Sequence, residues 1–247
     1  MDILQRIGRP WIFCITLCIS VLLSRGLAQE TVMNQLPSDN NKTPILIPVF
    51  TEREADVGST FLVKKWIRGV VELANHKRIP EPDQLLLFNF DKIHNQLYVI
   101  NLLKKVYSYP IDSVSSFELV DNDEIYSFEK IPWISNNYFL MPVTKSEKGY
   151  SLYKRLFTKL NRAEYSNAGY YTTGKKYDEY LDYYEYYLIF PGNTSYRKIY
   201  LKENAVRRVF RDESKILEEF FALHDNEINE ESLLGIVQYI NDKKYPE

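Results

Sequence analysis

Tyrosine is the residue type whose number and spacing most suggest a binding chemistry in this chain. Eleven of the 20 tyrosines fall between Tyr165 and Tyr200, and the stretch 177–187 interleaves six of them with aspartate and glutamate. A tyrosine ring offers a large amphipathic contact area at low entropic cost, so such a cluster can stack against sugar rings or peptides. The residues that we expect to form this stacking surface are Tyr180, Tyr183, Tyr184, Tyr186 and Tyr187.

The same pattern has a structural interpretation. Successive side chains of a β-strand point to opposite faces, so Tyr184 and Tyr186 would face one side while Tyr183 and Tyr187 face the other. One face would then pack in the core, and hydroxyl groups of the other would reach water. The acidic neighbours argue against a nucleic-acid site, because they would repel phosphate. The sequence leaves the stacking and the structural interpretations open.

Metal and cofactor chemistry has no strong pattern in the sequence. His76, His94 and His224 are far apart, and no pair has the spacing of a helical metal site. The run 121–123 begins like a calcium loop, but Ile125 occupies the next ligand position, so a turn is the better interpretation. Dinucleotide, phosphate-binding and nucleophile-elbow motifs are also missing from the sequence. We therefore expect no cofactor and no bound metal, although a zinc site built from scattered histidines and carboxylates stays open.

Composition and charge exclude several classes of protein. The chain has 247 residues, is 45% hydrophobic and carries a formal charge of −2. That hydrophobic content is too high for a disordered protein and is sufficient for one sizeable core or two small ones. No basic excess exists to displace counterions from phosphates, so we expect no nucleic-acid partner.

The elements that must position the tyrosines are short strands. Turn residues separate apolar runs at the spacing of an antiparallel meander rather than of alternating βαβ units. The clearest hairpin joins the tyrosine-rich strand around Tyr184 to a returning strand, 196–201, through Pro191-Gly192-Asn193. A connecting loop is predicted over 161–177. The earlier runs are 70–73, 85–90, 97–103, 106–109, 114–120, 125–131, 138–143 and 150–157.

The last 45 residues have a helical pattern. Asp212 is predicted to cap one helix and Asn229 the next, since both can accept hydrogen bonds from free N–H groups of a first turn. Gly235 lies inside the last helix at a cost of about 1 kcal/mol relative to alanine, which suggests a close packing contact. The apolar positions that should dock these helices on the sheet are Phe210, Leu217, Phe220, Phe221, Leu233 and Val237.

The N-terminus has the pattern of a cleaved secretory signal. Arg6 and Arg9 precede the uncharged run 11–23, and Gly26-Leu27-Ala28 supplies the small residues that a signal peptidase requires. Thirteen helical residues span only about 20 Å, which is too short for a membrane anchor. Cleavage before Gln29 would leave 28 basic and 32 acidic residues, a formal charge of −4, and no cysteine. The cysteine-free mature chain favours a bacterial periplasmic or secreted protein, with no membrane span after cleavage.

These patterns predict a fold and a domain organisation. The fold class is α+β: a mainly antiparallel β-sheet domain followed by two or three short C-terminal helices. The predicted segments are a signal peptide over 1–28, a polar linker over 29–57, the β-rich domain over 58–202 and a helical segment over 203–247 that packs on it. Within the linker, residues 45–50 could add a short edge strand.

The order of several residues resembles uncharacterised exported proteins of Bacteroidetes. The matching features are Gly58, the pattern Trp66-x-x-Gly69-x-Val71, the apolar run 85–90, the strand with Phe117, and the run 152–155 before the tyrosine-rich strand. The resemblance covers roughly residues 58–242. It implies an exported protein in which β-strands precede short helices, and it assigns no activity and no functional residues.

The expected function is therefore a non-catalytic binding or interaction protein of the bacterial cell envelope, periplasmic or secreted. Its partner would be an envelope protein or a glycan, and the oligomeric state stays undetermined. The alternative is a hydrolase of envelope glycan or peptide that acts through carboxylates and tyrosines. Two carboxylates about 5–9 Å apart in a deep pocket would favour that alternative.

Overall fold

Antiparallel strand pairing dominates the computed structural model of the protein. The structure describes residues 47–48, 57–80, 85–164, 166–167, 172–193, 195–224 and 227–246, all within the compact unit Pro44–Glu247. The strands are β1 (Ile47–Pro48), β2 (Arg68–Leu73), β3 (Arg78–Ile79), β4 (Leu87–Asp91), β5 (Gln96–Ile100), β6 (Val106–Ser108), β7 (Val114–Asp121), β8 (Glu124–Glu129), β9 (Met141–Thr144), β10 (Ser151–Asn161), β11 (Ser166–Asn167), β12 (Thr172–Thr173), β13 (Glu179–Ile189) and β14 (Tyr196–Ile199).

Three α-helices follow the strands: α1 (Glu203–Val209), α2 (Ser214–Leu223) and α3 (Glu230–Lys244). Strands first and helices afterwards are the order that the sequence predicts, so the α+β class is confirmed. In the described part of the chain, none of the helices has both the length and the apolar character of a membrane span.

Twelve of the described strands form three four-stranded sheets, and β11 and β12 pair only with each other. The first has the order β1-β6-β5-β4, the second β3-β2-β7-β8 and the third β14-β13-β10-β9. Paired backbone hydrogen bonds between Ile67 and Phe88 connect the first sheet to the second, and those between Glu129 and Leu140 connect the second to the third. The second and third sheets are therefore continuous with each other at the β8–β9 junction.

Phenylalanine rings fill the core between the first and second sheets. The Phe90 ring centroid lies 4.7 Å from that of Phe128 and 5.4 Å from that of Phe117, and Phe117 lies 5.0 Å from Phe139. Their strand neighbours Ser116 and Glu118 point away from this core, as the two-residue period of a strand requires. The second sheet thus has one apolar face and one polar outward face.

The helices cover one face of the third sheet. Tyr150, Leu152, Tyr186 and Leu188 on that face pack against the helices in one buried cluster. All six predicted docking positions are buried in the cluster, so this prediction is confirmed: Phe210, Leu217, Phe220, Phe221, Leu233 and Val237.

Helix capping follows the sequence at one end and departs from it at another. Asn229 accepts a hydrogen bond from the Ser232 N–H, and the Ser232 side chain binds back to Asn229, which makes a capping box. The cap predicted at Asp212 is wrong, because Asp212 lies in a short 3₁₀ turn and α2 begins after Glu213. The Glu213 carboxylate, directly before α2, is buried and lies 2.7 Å from the Lys244 Nζ.

Two stretches differ in detail from the expectation. Residues 161–177 are not wholly a loop, because β10 extends to Asn161 and β11 pairs with β12 within the segment. The predicted run 97–103 ends as a strand at Ile100, where the chain turns back towards β6. The edge strand predicted within 45–50 is present as β1, which pairs with β6. The linker and signal segments lie outside the described residues except for this strand and Val57.

Candidate functional site

The five tyrosines predicted to form a stacking surface are divided between two faces of β13. Tyr183 and Tyr187 point to the face of the third sheet that the helices leave open, which we call the outward face. Tyr180, Tyr184 and Tyr186 alternate with them and belong to the opposite face. The structure therefore does not bring the five rings together on a single surface.

Of the tyrosines opposite the outward face, Tyr186 joins the sheet to the helices. Tyr186 is buried, and its hydroxyl donates to Glu230 Oε2 at 2.7 Å. Burial is the main cause that raises the pKa of Tyr186, and this hydrogen bond is the second cause. The Lys154 Nζ binds the same carboxylate at 2.6 Å and lies 5.4 Å from the ring centroid of Tyr184. These contacts anchor the first turn of α3 on the sheet.

On the outward face, aromatic rings follow one another from the β8–β9 loop to β14. Trp133 lies 5.6 Å from Tyr196, which lies 6.2 Å from Tyr187, and Tyr187 lies 6.2 Å from Tyr138, all between ring centroids. Trp133 and Tyr196 are exposed, whereas Tyr187 is buried beneath them. We call the six rings of this surface the aromatic face. Its members are Trp133, Tyr138, Phe157, Tyr183, Tyr187 and Tyr196.

Arg155 connects the two halves of the aromatic face. Its guanidinium carbon lies 4.2 Å from the ring centroid of Tyr138 and 4.9 Å from that of Phe157, both within cation–π range. One terminal nitrogen is 3.3 Å from the Glu185 carboxylate. The Arg155 Nε is buried and has no acceptor among the described residues. The guanidinium is therefore held in place by rings while one of its donors is unused.

Tyr183 forms the far end of the aromatic face. It stacks on Phe157 with ring centroids 5.6 Å apart and an interplanar angle of 21°. The Lys159 Nζ lies 5.2 Å from the Tyr183 centroid and 5.5 Å from that of Phe157. The Tyr183 side chain is nevertheless 41% exposed. It presents a supported, partly covered ring to solvent.

Glu185 organises the polar groups between the rings. It accepts hydrogen bonds from the Lys198 Nζ at 2.6 Å and from the Tyr187 hydroxyl at 3.0 Å. Burial alone would raise the pKa of Glu185, but these two hydrogen bonds, with the charges of Lys198 and Arg155, leave it below its ordinary value. The Tyr187 hydroxyl also lies 3.0 Å from that of Tyr138. These hydrogen bonds hold the rings of Tyr138 and Tyr187 in place.

A polar groove lies next to the aromatic face, on the solvent-facing side of the second sheet. Its volume is about 290 Å³, and the short side chains of Ser116 and Ser127 lie in the neighbouring strands β7 and β8. We call it the serine groove. Its charged lining residues are Glu72, Arg78, Glu118, Glu129 and Lys145.

Glu129 and Tyr153 join the serine groove to the aromatic face. Lys145 binds the Glu129 carboxylate at 2.7 Å, and burial together with a hydrogen bond to Glu129 raises the pKa of Tyr153. Tyr153 is the strand partner of Tyr187, which belongs to the aromatic face. The groove and the rings are thus neighbouring parts of one outward surface.

The described part of the chain contains no assembled set of metal ligands. No group of three histidine, cysteine, aspartate or glutamate side chains there has the geometry to hold an ion. His94 lies in the β4–β5 turn, 2.8 Å from the buried Asp91 carboxylate, which also accepts the N–H groups of Ile93 and His94. Asp91 therefore shapes this turn.

Comparison with known proteins gives no relative from which to assign residues. No family model, no curated protein and no solved structure matches the chain. The candidate site consequently depends on the geometry of this molecule alone.

Sequence reasoning missed most of the aromatic face. Phe157 and Arg155 could have been found from strand pairing, because they lie directly opposite Tyr183 and Glu185. Trp133 and Tyr138 had no such signal, since they come from a loop far from β13 in the chain. A tyrosine count emphasises β13, whereas the surface draws its rings from three strands and a loop.

Proposed function

We propose that this protein is a non-catalytic binding protein of the bacterial cell envelope, and that its aromatic face holds a protein partner. Export is supported by the basic residues, apolar run and small residues at the N-terminus. The resemblance to exported proteins over residues 58–242 supports it as well. The partner assignment is supported by the chemistry of the outward surface.

The observation that carries the proposal is a row of exposed rings around an arginine that contacts the half-buried rings of Tyr138 and Phe157. Tryptophan, tyrosine and arginine are the residues that most often dominate the energy of protein–protein interfaces. Trp133, Tyr183 and Tyr196 are exposed on this face, and Arg155 lies between rings in its centre. The hydrogen bonds of Glu185 hold the surface in place, and such preorganisation reduces the entropic cost of binding.

The charges around the rings indicate the character of the partner. Among the described residues, Arg155 and Lys159 lie over rings of the aromatic face, and Lys198 pairs with the Glu185 carboxylate between them. A partner with acidic groups around an apolar centre would complement this surface. A flat sugar ring fits less well at Tyr183, because Phe157 and Lys159 already occupy part of the ring surface.

Tyr183 and its neighbour Tyr184 provide a matched test. They are adjacent, 41% and 49% exposed, and lie on opposite faces of β13. The wild-type protein, purified from its envelope fraction, would first be cross-linked to identify a partner, and affinity for that partner would then be measured. We expect Tyr183→Ser and Trp133→Ala each to weaken binding at least tenfold, as interface hot spots do, and Tyr184→Ser to leave it within about twofold.

Other results would reject the assignment. Equal effects of Tyr183→Ser and Tyr184→Ser would show that the aromatic face is not the binding surface. If the protein bound purified envelope glycans and Tyr183→Ser removed that binding, the ligand of the aromatic face would be a glycan rather than a protein. Intact-mass analysis tests export separately: the envelope protein should begin at Gln29, and retention of residues 1–28 would contradict cleavage.

The serine groove favours the hydrolase as a second candidate. Glu72 and Glu129 flank Ser116 on neighbouring strands, so their backbones lie about 10 Å apart by the usual strand spacing. Glu118 is an exposed third carboxylate of the lining, and Glu129 is paired with Lys145. Release of soluble fragments from peptidoglycan by the wild type, lost in Glu129→Gln, would establish the hydrolase.

A further inference from the structure

The turn between β5 and β6 exposes apolar side chains at the end of the first sheet. Leu102 is 70% exposed and Leu103 is 52% exposed, and two exposed lysines, Lys104 and Lys105, follow directly. We call residues 101–105 the leucine tip. Exposed leucines side by side at the apex of a hairpin contribute nothing to the core beneath them.

Hydrogen bonds fix the leucine tip in this conformation. The Asn101 side-chain oxygen accepts the N–H groups of Leu103 and Lys105, each at 3.0 Å. The Asn101 carbonyl accepts the N–H of Lys104 at 2.9 Å, and Lys104 adopts a left-handed backbone with φ of 58°. The two leucines therefore cannot turn inwards without breaking the turn.

A further exposed leucine precedes β4. Leu85 is 65% exposed, and two residues later Leu87 begins β4 as the strand partner of Ile100, the last residue of β5. Leu85 therefore lies at the same end of the first sheet as the leucine tip.

The lysines give the apex a positive charge that no ion pair among the described residues neutralises. Throughout the described residues, neither Lys104 nor Lys105 has a carboxylate within ion-pair distance. Apolar side chains at an apex, with cationic side chains directly behind them, are the arrangement that binds an anionic bilayer. The apolar part enters the boundary between headgroups and acyl chains, while the lysines attract the headgroups.

We propose that the leucine tip docks the protein peripherally on a bilayer that carries anionic headgroups. A protein partner fits less well, because three leucines at this end of the sheet cover far less than the roughly 800 Å² per partner of a stable interface. The lipid contact is separate from the aromatic face, which belongs to the third sheet. The protein could therefore hold its partner while it lies on a membrane.

Vesicle co-sedimentation tests the proposal with the protein purified from cells that express the full chain. Vesicles of phosphatidylcholine containing about one third phosphatidylglycerol would be compared with vesicles of phosphatidylcholine alone. We expect Leu102→Ser/Leu103→Ser to lower the partition coefficient at least tenfold on the anionic vesicles. Lys104→Gln and Lys105→Gln should each lower it about fivefold there, and have little effect on neutral vesicles.

Two controls make each outcome decisive. Leu223→Ser removes an equally exposed leucine from the end of α2 and should leave vesicle binding unchanged. Tyr183→Ser should also leave it unchanged, which separates this proposal from the proposed function. Equal partitioning of the wild type and the double leucine variant would overturn the proposal. So would a wild-type dimer, seen by light scattering, that the double leucine variant converts to a monomer.

Discussion

Asn241 hydrogen-bonds to both backbone groups of Tyr150. Its side-chain oxygen accepts the Tyr150 N–H at 2.8 Å, and its side-chain nitrogen donates to the Tyr150 carbonyl, also at 2.8 Å. A residue near the end of α3 thereby binds the backbone of the residue that directly precedes β10. Gly149 makes room for this contact, since a Cβ there would lie 2.3 Å from the Asn241 oxygen.

The first prediction follows from this pair. Asn241→Asp keeps the acceptor for the Tyr150 N–H but places a carboxylate oxygen against the Tyr150 carbonyl. Because the donor is lost and two acceptors face each other, we expect the free energy of unfolding to fall by about 1–3 kcal/mol at neutral pH. Denaturant unfolding would measure it.

Asp242→Asn is the matched control for this prediction. It makes the reverse exchange one residue further along α3, at an exposed position in the last turn. Removing a negative charge near a helix C-terminus is neutral or slightly stabilising. A gain as large as the loss in Asn241→Asp would show that charge, rather than the backbone contact, explains the effect.

The second prediction concerns Phe220, which anchors α2. Its ring is buried, stacked 4.2 Å from the His224 ring and 5.7 Å from that of Tyr239 on α3. Phe220→Ala should lower the free energy of unfolding by about 3–5 kcal/mol, because a large buried ring leaves a cavity. Glu218→Ala, on the exposed face of α2, breaks only an ion pair with Arg207 and should cost at most about 1 kcal/mol. Small and equal losses would mean that the helices contribute little to the domain.

The sequence allowed much of this architecture to be predicted, because periodicity and turn residues act locally. The β13–β14 hairpin follows from alternating tyrosines and Pro191-Gly192-Asn193, and the docking face of the helices follows from residues such as Leu217 and Leu233. These features depend on neighbours a few residues apart. Strand and helix bounds shift by a few residues at their ends, as at Ile100.

Contacts distant in sequence could not be predicted in the same way. Trp133 meets Tyr196, and Arg155 lies over Tyr138, only because the second and third sheets join at Glu129 and Leu140. Capping propensity likewise gave the wrong result at Asp212, because the chain forms a 3₁₀ turn over Arg211–Glu213 before α2 begins at Ser214. Where the local sequence allows more than one structure, tertiary contacts determine which of them forms.

The third prediction tests why Gly235 lies inside α3. A Cβ at Gly235 would lie 3.3 Å from the Phe220 Cζ and 3.5 Å from its Cε2. In an open helix, glycine to alanine stabilises by about 1 kcal/mol. Because Phe220 is held between His224 and Tyr239, we expect Gly235→Ala to yield none of this gain in the wild type.

A double-mutant cycle isolates the contact between Gly235 and Phe220. In the Phe220→Ala background the added methyl group meets a cavity, so Gly235→Ala should stabilise by about 1 kcal/mol. The free energy of unfolding of all four proteins gives the coupling. A full gain from Gly235→Ala in the wild type would show that Phe220 does not determine the choice of glycine.

The last prediction concerns stability at alkaline pH. Tyr109 is 4% exposed in the core between the first and second sheets, and burial raises its pKa from the ordinary value of 10.0 to about 12. Between these values the unfolded chain releases the phenolic proton while the folded protein retains it, so the free energy of unfolding must fall as the pH rises. Two pKa units correspond to about 2–3 kcal/mol of stability, which is fully present below pH 10 and lost by about pH 12.

In Tyr109→Phe the ring stays and the proton is gone, so stability should fall less steeply with pH than in the wild type. Denaturant unfolding at several pH values between about 9 and 11 measures the difference, with Tyr200→Phe at an exposed position as the control. Parallel curves for the wild type and Tyr109→Phe would show that Tyr109 does not ionise on unfolding in this range.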